Sequence, residues 1–244
     1  MKRFPLVVLV VLTLLCTRIG FAQTGEEFKV LKEEVKSLKE GQTAVQKDIR
    51  DIRSLLGANQ AQPEQEFEEA VIRIKGAPFK GDDNAKIVMI ILSDFGCTWC
   101  GRYARDTFPR VENEFIKTGK VKYVFIDFPM NTTTFKAAEA ANCASEQEKF
   151  WEMHDRLFAN QSALRPTDLI DHAEAIGLDM PRFSECIESH KYSARIGDEL
   201  SQGRQFGVNG APTFFFGFAE LGDKVRVVKT VKGGRYDALK DAIE

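Results

Sequence analysis

The segment of this 244-residue chain best equipped for chemistry is Cys97-Thr98-Trp99-Cys100. It follows 87–92, an unbroken apolar run of strand length, and precedes residues 98–117, where Trp99, Tyr103, Phe108, Val111 and Phe115 recur at broadly helical spacing. A cysteine at the start of a helix meets unpaired backbone N–H groups and the positive end of the helix dipole. Both favour thiolate over thiol, which makes Cys97 a nucleophile near neutral pH. Cys100 is close enough to resolve a mixed disulfide formed on Cys97, and no bound cofactor is needed because the two sulfurs carry the two electrons. The inert alternative is a static, tight disulfide. Half a zinc site has the same spacing, but its second half is missing. Cys143 and Cys186 stand singly, and His154, His172 and His190 show no ligand spacing. No metal is expected.

The elements that must position this pair follow from the pattern around it. Residues 87–92 and 121–126 are apolar throughout, as strands buried on both faces are. With the helix between them they form a β-α-β unit, whose crossover is right-handed by default. Pro109 is expected to kink that helix. Residues 133–206 read as helical, with Pro166 at a helix start and Gly177 at a helix end. Strand-type sequence returns at 213–216 and 225–231, and a final helix follows Gly233-Gly234. The order predicts an α/β fold, a small sheet with an all-helical insertion over about 133–206, in a domain spanning 67–244.

Two segments extend the argument. Ile91-Leu92-Ser93-Asp94-Phe95-Gly96-Cys97-Thr98-Trp99-Cys100 resembles the active-site segment of DsbA-like thiol:disulfide oxidoreductases of the thioredoxin superfamily. Gly207-Val208-Asn209-Gly210-Ala211-Pro212-Thr213-Phe214 is similar to that family's loop with a cis proline facing the cysteine pair, and 140–158 is similar to its helical insertion. The resemblance covers about 70–244 and implies a thioredoxin fold. It makes Cys97 the attacking and Cys100 the resolving cysteine. It also implies a cis Pro212, with Thr98, Trp99, Ala211 and Pro212 meeting the substrate and the Ala211 backbone offering it strand-like hydrogen bonds. Substrates would be exported proteins with thiols or disulfides, and a membrane redox partner would reset the pair. Thr98 and Ala211 depart from the family's commoner residues at positions that help set redox potential, so the direction of electron flow stays open.

Cys143 and Cys186 fall on different helices of the insertion. A structural disulfide is the favoured reading; a second redox pair and two buried thiols are the alternatives. His154 reads as a packed helical histidine, and Phe214-Phe215-Phe216 as strand core. Asp94, three residues before Cys97, reads equally as structural or as a modulator of the thiol.

The N-terminus addresses the compartment. Lys2 and Arg3, an apolar run over 4–16 and small residues before a cut after Ala22 have the layout of a secretory signal peptide over 1–22. An uncleaved anchor is the alternative. The expected location is periplasmic or otherwise extracytoplasmic, where disulfides persist. Residues 26–56 read as a coiled-coil helix. Phe28, Leu31, Val35, Leu38, Gln42, Val45, Ile49, Ile52 and Leu56 alternate spacings of three and four, and all but Gln42 are apolar. Such a seam suits self-association through 28–56 into a dimer or trimer, like the oligomerising N-terminal regions of the family's isomerase-like members. The alternative is one amphipathic helix lying back on the domain. Residues 57–66 form a linker poor in large apolar side chains. Lys plus Arg total 34 against 36 Asp plus Glu, without the basic excess that nucleic-acid binding demands. Together these features predict an exported oxidoreductase acting as disulfide isomerase or reductase. A monomeric oxidase and a coiled-coil binding module with an inactive thioredoxin-like domain are the rivals.

Overall fold

The computed structural model describes residue 29, residues 31–48 and residues 70–244. The expected signal peptide, the linker and the seam positions Phe28, Ile49, Ile52 and Leu56 lie outside the described residues. The chain divides into two units, Met1–Glu66 and Phe67–Glu244.

In the first unit, residues 31–48 form one helix, α1, which runs through Gly41 without a break. Its apolar seam is bare: Leu31, Val35, Leu38 and Val45 are all exposed, Leu38 to 72%.

The second unit is built on a six-stranded sheet ordered β1-β6-β5-β3-β4-β2. The strands are β1 (Ala70–Arg73), β2 (Phe79–Lys80), β3 (Ile87–Ser93), β4 (Val121–Asp127), β5 (Thr213–Glu220) and β6 (Lys224–Lys232). β3 and β4 run parallel, and every other pairing is antiparallel. The two apolar runs lie at the centre because both of their faces are covered. Met89, Ile91, Tyr123 and Phe125 point into one core, while Val88, Ile90, Leu92, Val124 and Ile126 point into the other. The edge strands β1 and β2 are additions to the four strands read from sequence.

Between β3 and β4 the chain is helical from Thr98 to Ile116 in four pieces. These are α2 (Thr98–Arg102), a π-turn over Tyr103–Thr107, α3 (Phe108–Val111) and a second π-turn over Glu112–Ile116. Pro109 stands in the first turn of α3. Its ring would strike the Arg105 carbonyl in a continuous α-helix. Widening the preceding turn, where the Phe108 N–H bonds the Tyr103 carbonyl, removes the conflict. Wide turns therefore accompany Pro109 where a simple kink was expected.

The insertion holds α4 (Thr132–Ser145), α5 (Phe150–Ala159), α6 (Pro166–Ala175), α7 (Met180–Glu188) and α8 (Ser193–Gln205). Asn131 starts α4 with a capping box: its side chain accepts from the Thr134 N–H, and Thr134 Oγ1 accepts from the Asn131 N–H. Gly177 ends α6 at φ 69°, a conformation that favours glycine. A disulfide joins Cys143 of α4 to Cys186 of α7, with Cα atoms 5.8 Å apart. His154 of α5 is buried among the rings of Phe95, Phe125, Trp151 and Phe158, and that burial holds its imidazole below the usual histidine pKa. The fold closes with α9 (Tyr236–Ile243).

Candidate active site

Cys97 is the N-cap of α2, four residues past the end of β3. Its backbone is extended, and its sulfur accepts a hydrogen bond from the Cys100 N–H at 3.3 Å. Across the site, the Cys97 thiol donates to the Ala211 carbonyl at 3.2 Å. The Ala211–Pro212 peptide is cis. Cys97 is half-buried and Cys100 fully buried, and both are free thiols.

Position and burial divide the two sulfurs chemically. The Cys97 pKa falls from 9.0 to about 7, chiefly through the hydrogen bond from the Cys100 side chain. The backbone N–H groups of Cys100 and Trp99 add to this fall, against opposing contributions from burial and the charge of Asp94. Burial pushes the Cys100 thiol strongly the other way. One sulfur is accessible and ionises near neutral pH; the other stays protonated behind it.

The turn carrying Cys97 is pinned by groups distant in sequence. Asp94 is buried: Oδ1 accepts from the Gly96 N–H at 2.6 Å, and Oδ2 from the Met130 N–H at 2.6 Å and the Thr134 hydroxyl at 3.0 Å. Its carboxylate ties the active-site turn to the start of α4, while its charge raises the Cys97 pKa only as a minor opposing contribution. The open reading of Asp94 therefore resolves mainly toward structure. Gln161, in the loop after α5, donates from Nε2 to the carbonyls of Phe95 at 2.8 Å and Cys97 at 2.9 Å. Gly101 makes room for it, since a Cβ there would collide with the Gln161 side-chain amide. Sequence reasoning missed Gln161, Met130 and Thr134, which sit on no periodic pattern and carry no motif.

Thr98 and Trp99 are exposed beside the sulfur, Trp99 to 63% with the Arg102 guanidinium 4.7 Å from its ring centroid. Trp99, Ala211 and Pro212 line one groove of about 630 Å³. Arg102, Asp106, Lys232 and Arg235 complete its charged rim. Cys143 and Cys186 lie away from this groove, bonded to each other. Among the described residues, no three His, Cys, Asp or Glu side chains are grouped to hold a metal ion.

Residues 74–228 match the thioredoxin family. The chain belongs to that family. Within it the architecture is DsbA-like, a thioredoxin sheet interrupted by a helical insertion, and two solved structures share it. Oxidised BdbD from Bacillus subtilis superposes with a TM-score of 0.62 at 23% identity, covering 72% of this chain and 95% of that one. Wolbachia pipientis alpha-DsbA1 gives 0.61 at 22% identity, covering 70% and 91%. Among curated relatives, Disulfide bond formation protein D of Bacillus subtilis is 26% identical over 183 residues, which is 70% of this chain and 77% of that protein. The Na(+)/H(+) antiporter NhaA 3 of Salinispora tropica is 36% identical over 139 residues, 56% of this chain. This thioredoxin-family chain spans only about a fifth of the antiporter's length, the matched part being 21%.

Proposed function

We propose that the protein is an exported thiol:disulfide oxidoreductase that exchanges disulfides with protein substrates through a mixed disulfide on Cys97. The observation that carries this reading is the pairing of a half-buried, low-pKa Cys97 with a buried, high-pKa Cys100 at one helix start. The Cys97 thiolate attacks a substrate disulfide, forms the mixed disulfide and expels one substrate sulfur as thiolate. In isomerisation, a substrate thiolate then attacks the mixed disulfide and restores Cys97, with no net electron transfer. In reduction, Cys100 gives up its proton and attacks Cys97 Sγ. The substrate leaves as a dithiol and the pair is oxidised by two electrons. Trp99, Thr98 and the Ala211–Pro212 edge bind the substrate segment beside the sulfur. A membrane redox partner resets the pair.

Isomerase or reductase work is favoured by the bare seam of α1, which suits self-association through 28–56. Several sites on one stalk raise the effective concentration of the second thiolate at a substrate held by the first. A specific observation also favours a second reading. The lowered Cys97 pKa stabilises the reduced pair, as in an oxidant, and the Bacillus relative is named for disulfide bond formation.

Scrambled-RNase refolding and insulin reduction, run with the full chain and its Cys97→Ser variant, test the proposal. Catalysis of either reaction that disappears in the variant supports it. A wild-type protein inert in both, and unable to oxidise a reduced substrate, leaves a binding module.

A further inference from the structure

The groove beside the cysteine pair, which shares Trp99, Ala211 and Pro212 with the site but is lined by neither cysteine, is electropositive on a chain whose formal charge is −2. Arg102, Lys232 and Arg235 line it against a single carboxylate, Asp106. Among the described residues none of the three cations lies within salt-bridge distance of a carboxylate, although many other Lys and Arg side chains of the domain are paired. Their placement is tied to the reacting sulfur through the backbone. Cys97 Sγ meets the Ala211 carbonyl at 3.2 Å, and the Pro212 carbonyl accepts from the Gly233 N–H at 2.9 Å. Thr213 is register partner to Lys232. The Ala211–Pro212 edge thus lies between Cys97 on one side and the Lys232–Arg235 turn on the other. Arg102 lines the groove from the end of α2, over the ring of Trp99.

An extended segment joined to Cys97 over this edge would carry the residues two positions from its cysteine toward these cations. Side chains on such a segment alternate, so the immediate neighbours of the cysteine point away from Cys97 and the residues two positions away point with the cysteine. Resting on the redox reading above, we infer that the groove selects substrate segments that carry Asp or Glu two positions from the reacting cysteine. Complementary charge at a solvated rim acts mainly on encounter and on discrimination among partners.

The test uses reduced full-length protein and three short peptides, each closed by one disulfide and differing only two positions from the reacting cysteine: Glu, Gln or Lys. Acid-quenched samples separated by chromatography give the rate of peptide reduction. The Glu peptide should react roughly three- to tenfold faster than the Lys peptide, the size expected of a few solvated charge pairs. The Gln peptide should fall between them, and the spread should shrink at 0.5 M salt. Lys232→Gln with Arg235→Gln should collapse the spread. Lys86→Gln with Lys120→Gln, which removes the same charge just before β3 and β4 at the other end of those strands, should preserve it. Equal rates for the three peptides overturn the inference and leave the redox reading standing. So does a spread that survives in the Lys232→Gln, Arg235→Gln protein. Failure to exchange with any peptide overturns both.

Discussion

Gln161 and Cys97, 64 residues apart in the chain, are joined by a hydrogen bond of 2.9 Å from the amide side chain to the cysteine's carbonyl. The same amide holds the Phe95 carbonyl at 2.8 Å, so one side chain from the insertion fixes both ends of the turn that aims the nucleophile. Gln161→Ala leaves both carbonyls without this donor. We expect a loss of about 1–3 kcal/mol in urea unfolding. Gln161 acts through Cys97, so the pH midpoint of Cys97 alkylation should move as well. A variant that loses stability with an unchanged midpoint has lost packing alone.

Cys97 itself should titrate low. Iodoacetamide alkylation of the reduced protein is expected to rise with a midpoint near pH 7, against 9.0 for an ordinary thiol. The fold depresses this pKa, so the thiolate stabilises the folded state above the unfolded pKa and loses that contribution as pH falls through about 7. The melting temperature of the reduced protein, compared with Cys97→Ser, should therefore gain more between pH 6 and pH 9.

The buried carboxyls behind the site should do the opposite. Asp127 rises to about 6 and Glu199 to about 8, in each case through burial first, with their mutual repulsion adding to the rise at Glu199. Glu199 Oε2 accepts from the Asp127 N–H at 3.0 Å, and Asn142 donates to Asp127 Oδ2 at 2.6 Å. Groups whose pKa is raised by folding contribute stability at low pH and lose it as pH climbs through the folded value. Urea midpoints of the oxidised protein, in which Cys97 does not titrate, should fall from pH 5 to pH 8.5 in the wild type and flatten in Glu199→Gln. An equal fall in both assigns the slope elsewhere.

The Cys143–Cys186 bridge closes a loop of 43 residues inside the insertion. Loop-closure entropy gives about 4 kcal/mol for that span. Replacing both cysteines by Ala should cost about this amount while leaving the Cys97 midpoint near pH 7. Mass spectrometry during graded reduction should find this bridge intact after a Cys97–Cys100 disulfide has opened. Loss of exchange activity in a folded double variant would instead make the pair part of the redox path.

The bare seam of α1 predicts association. Leu38→Lys with Val45→Lys places like charges where Leu38 and Val45 now stand exposed. Light scattering should report a dimer or trimer for the wild type and a monomer for the variant, with isomerase activity falling alongside. A monomeric wild type, or full isomerase activity in the variant, removes the stalk from the mechanism.

What could be read in the chain and what could not divide along sequence distance. The apolar runs of β3 and β4, the helical insertion and the position of Cys97 at a strand-to-helix junction are local patterns, and local patterns declare themselves. The edge strands escaped because β1 has four residues and β2 only two, too short for alternation to register. Pro109 was read as a kink because the widened turns around it leave no mark in residue type. Asp94 was visible as a nearby acid, but its role depends on Met130 and Thr134, 36 and 40 residues away. The cationic rim was invisible for the same reason: Arg102 and Lys232 line one groove only when β6 returns beside β5.

The clamp on the active-site turn has a further meaning for portability. Transplanting β3 and α2 into another parallel sheet would carry the two sulfurs but leave behind Gln161, Thr134, the Met130 N–H and the Ala211 carbonyl. The recipient would keep the Cys100 and Trp99 groups that lower the Cys97 pKa, and lose the clamp on the turn and the burial that holds Cys100 protonated. The nucleophile is a local property and its protected partner a property of how distant segments converge, so shuffling the short motif alone would spread reactive cysteines without spreading the division of labour between the two sulfurs.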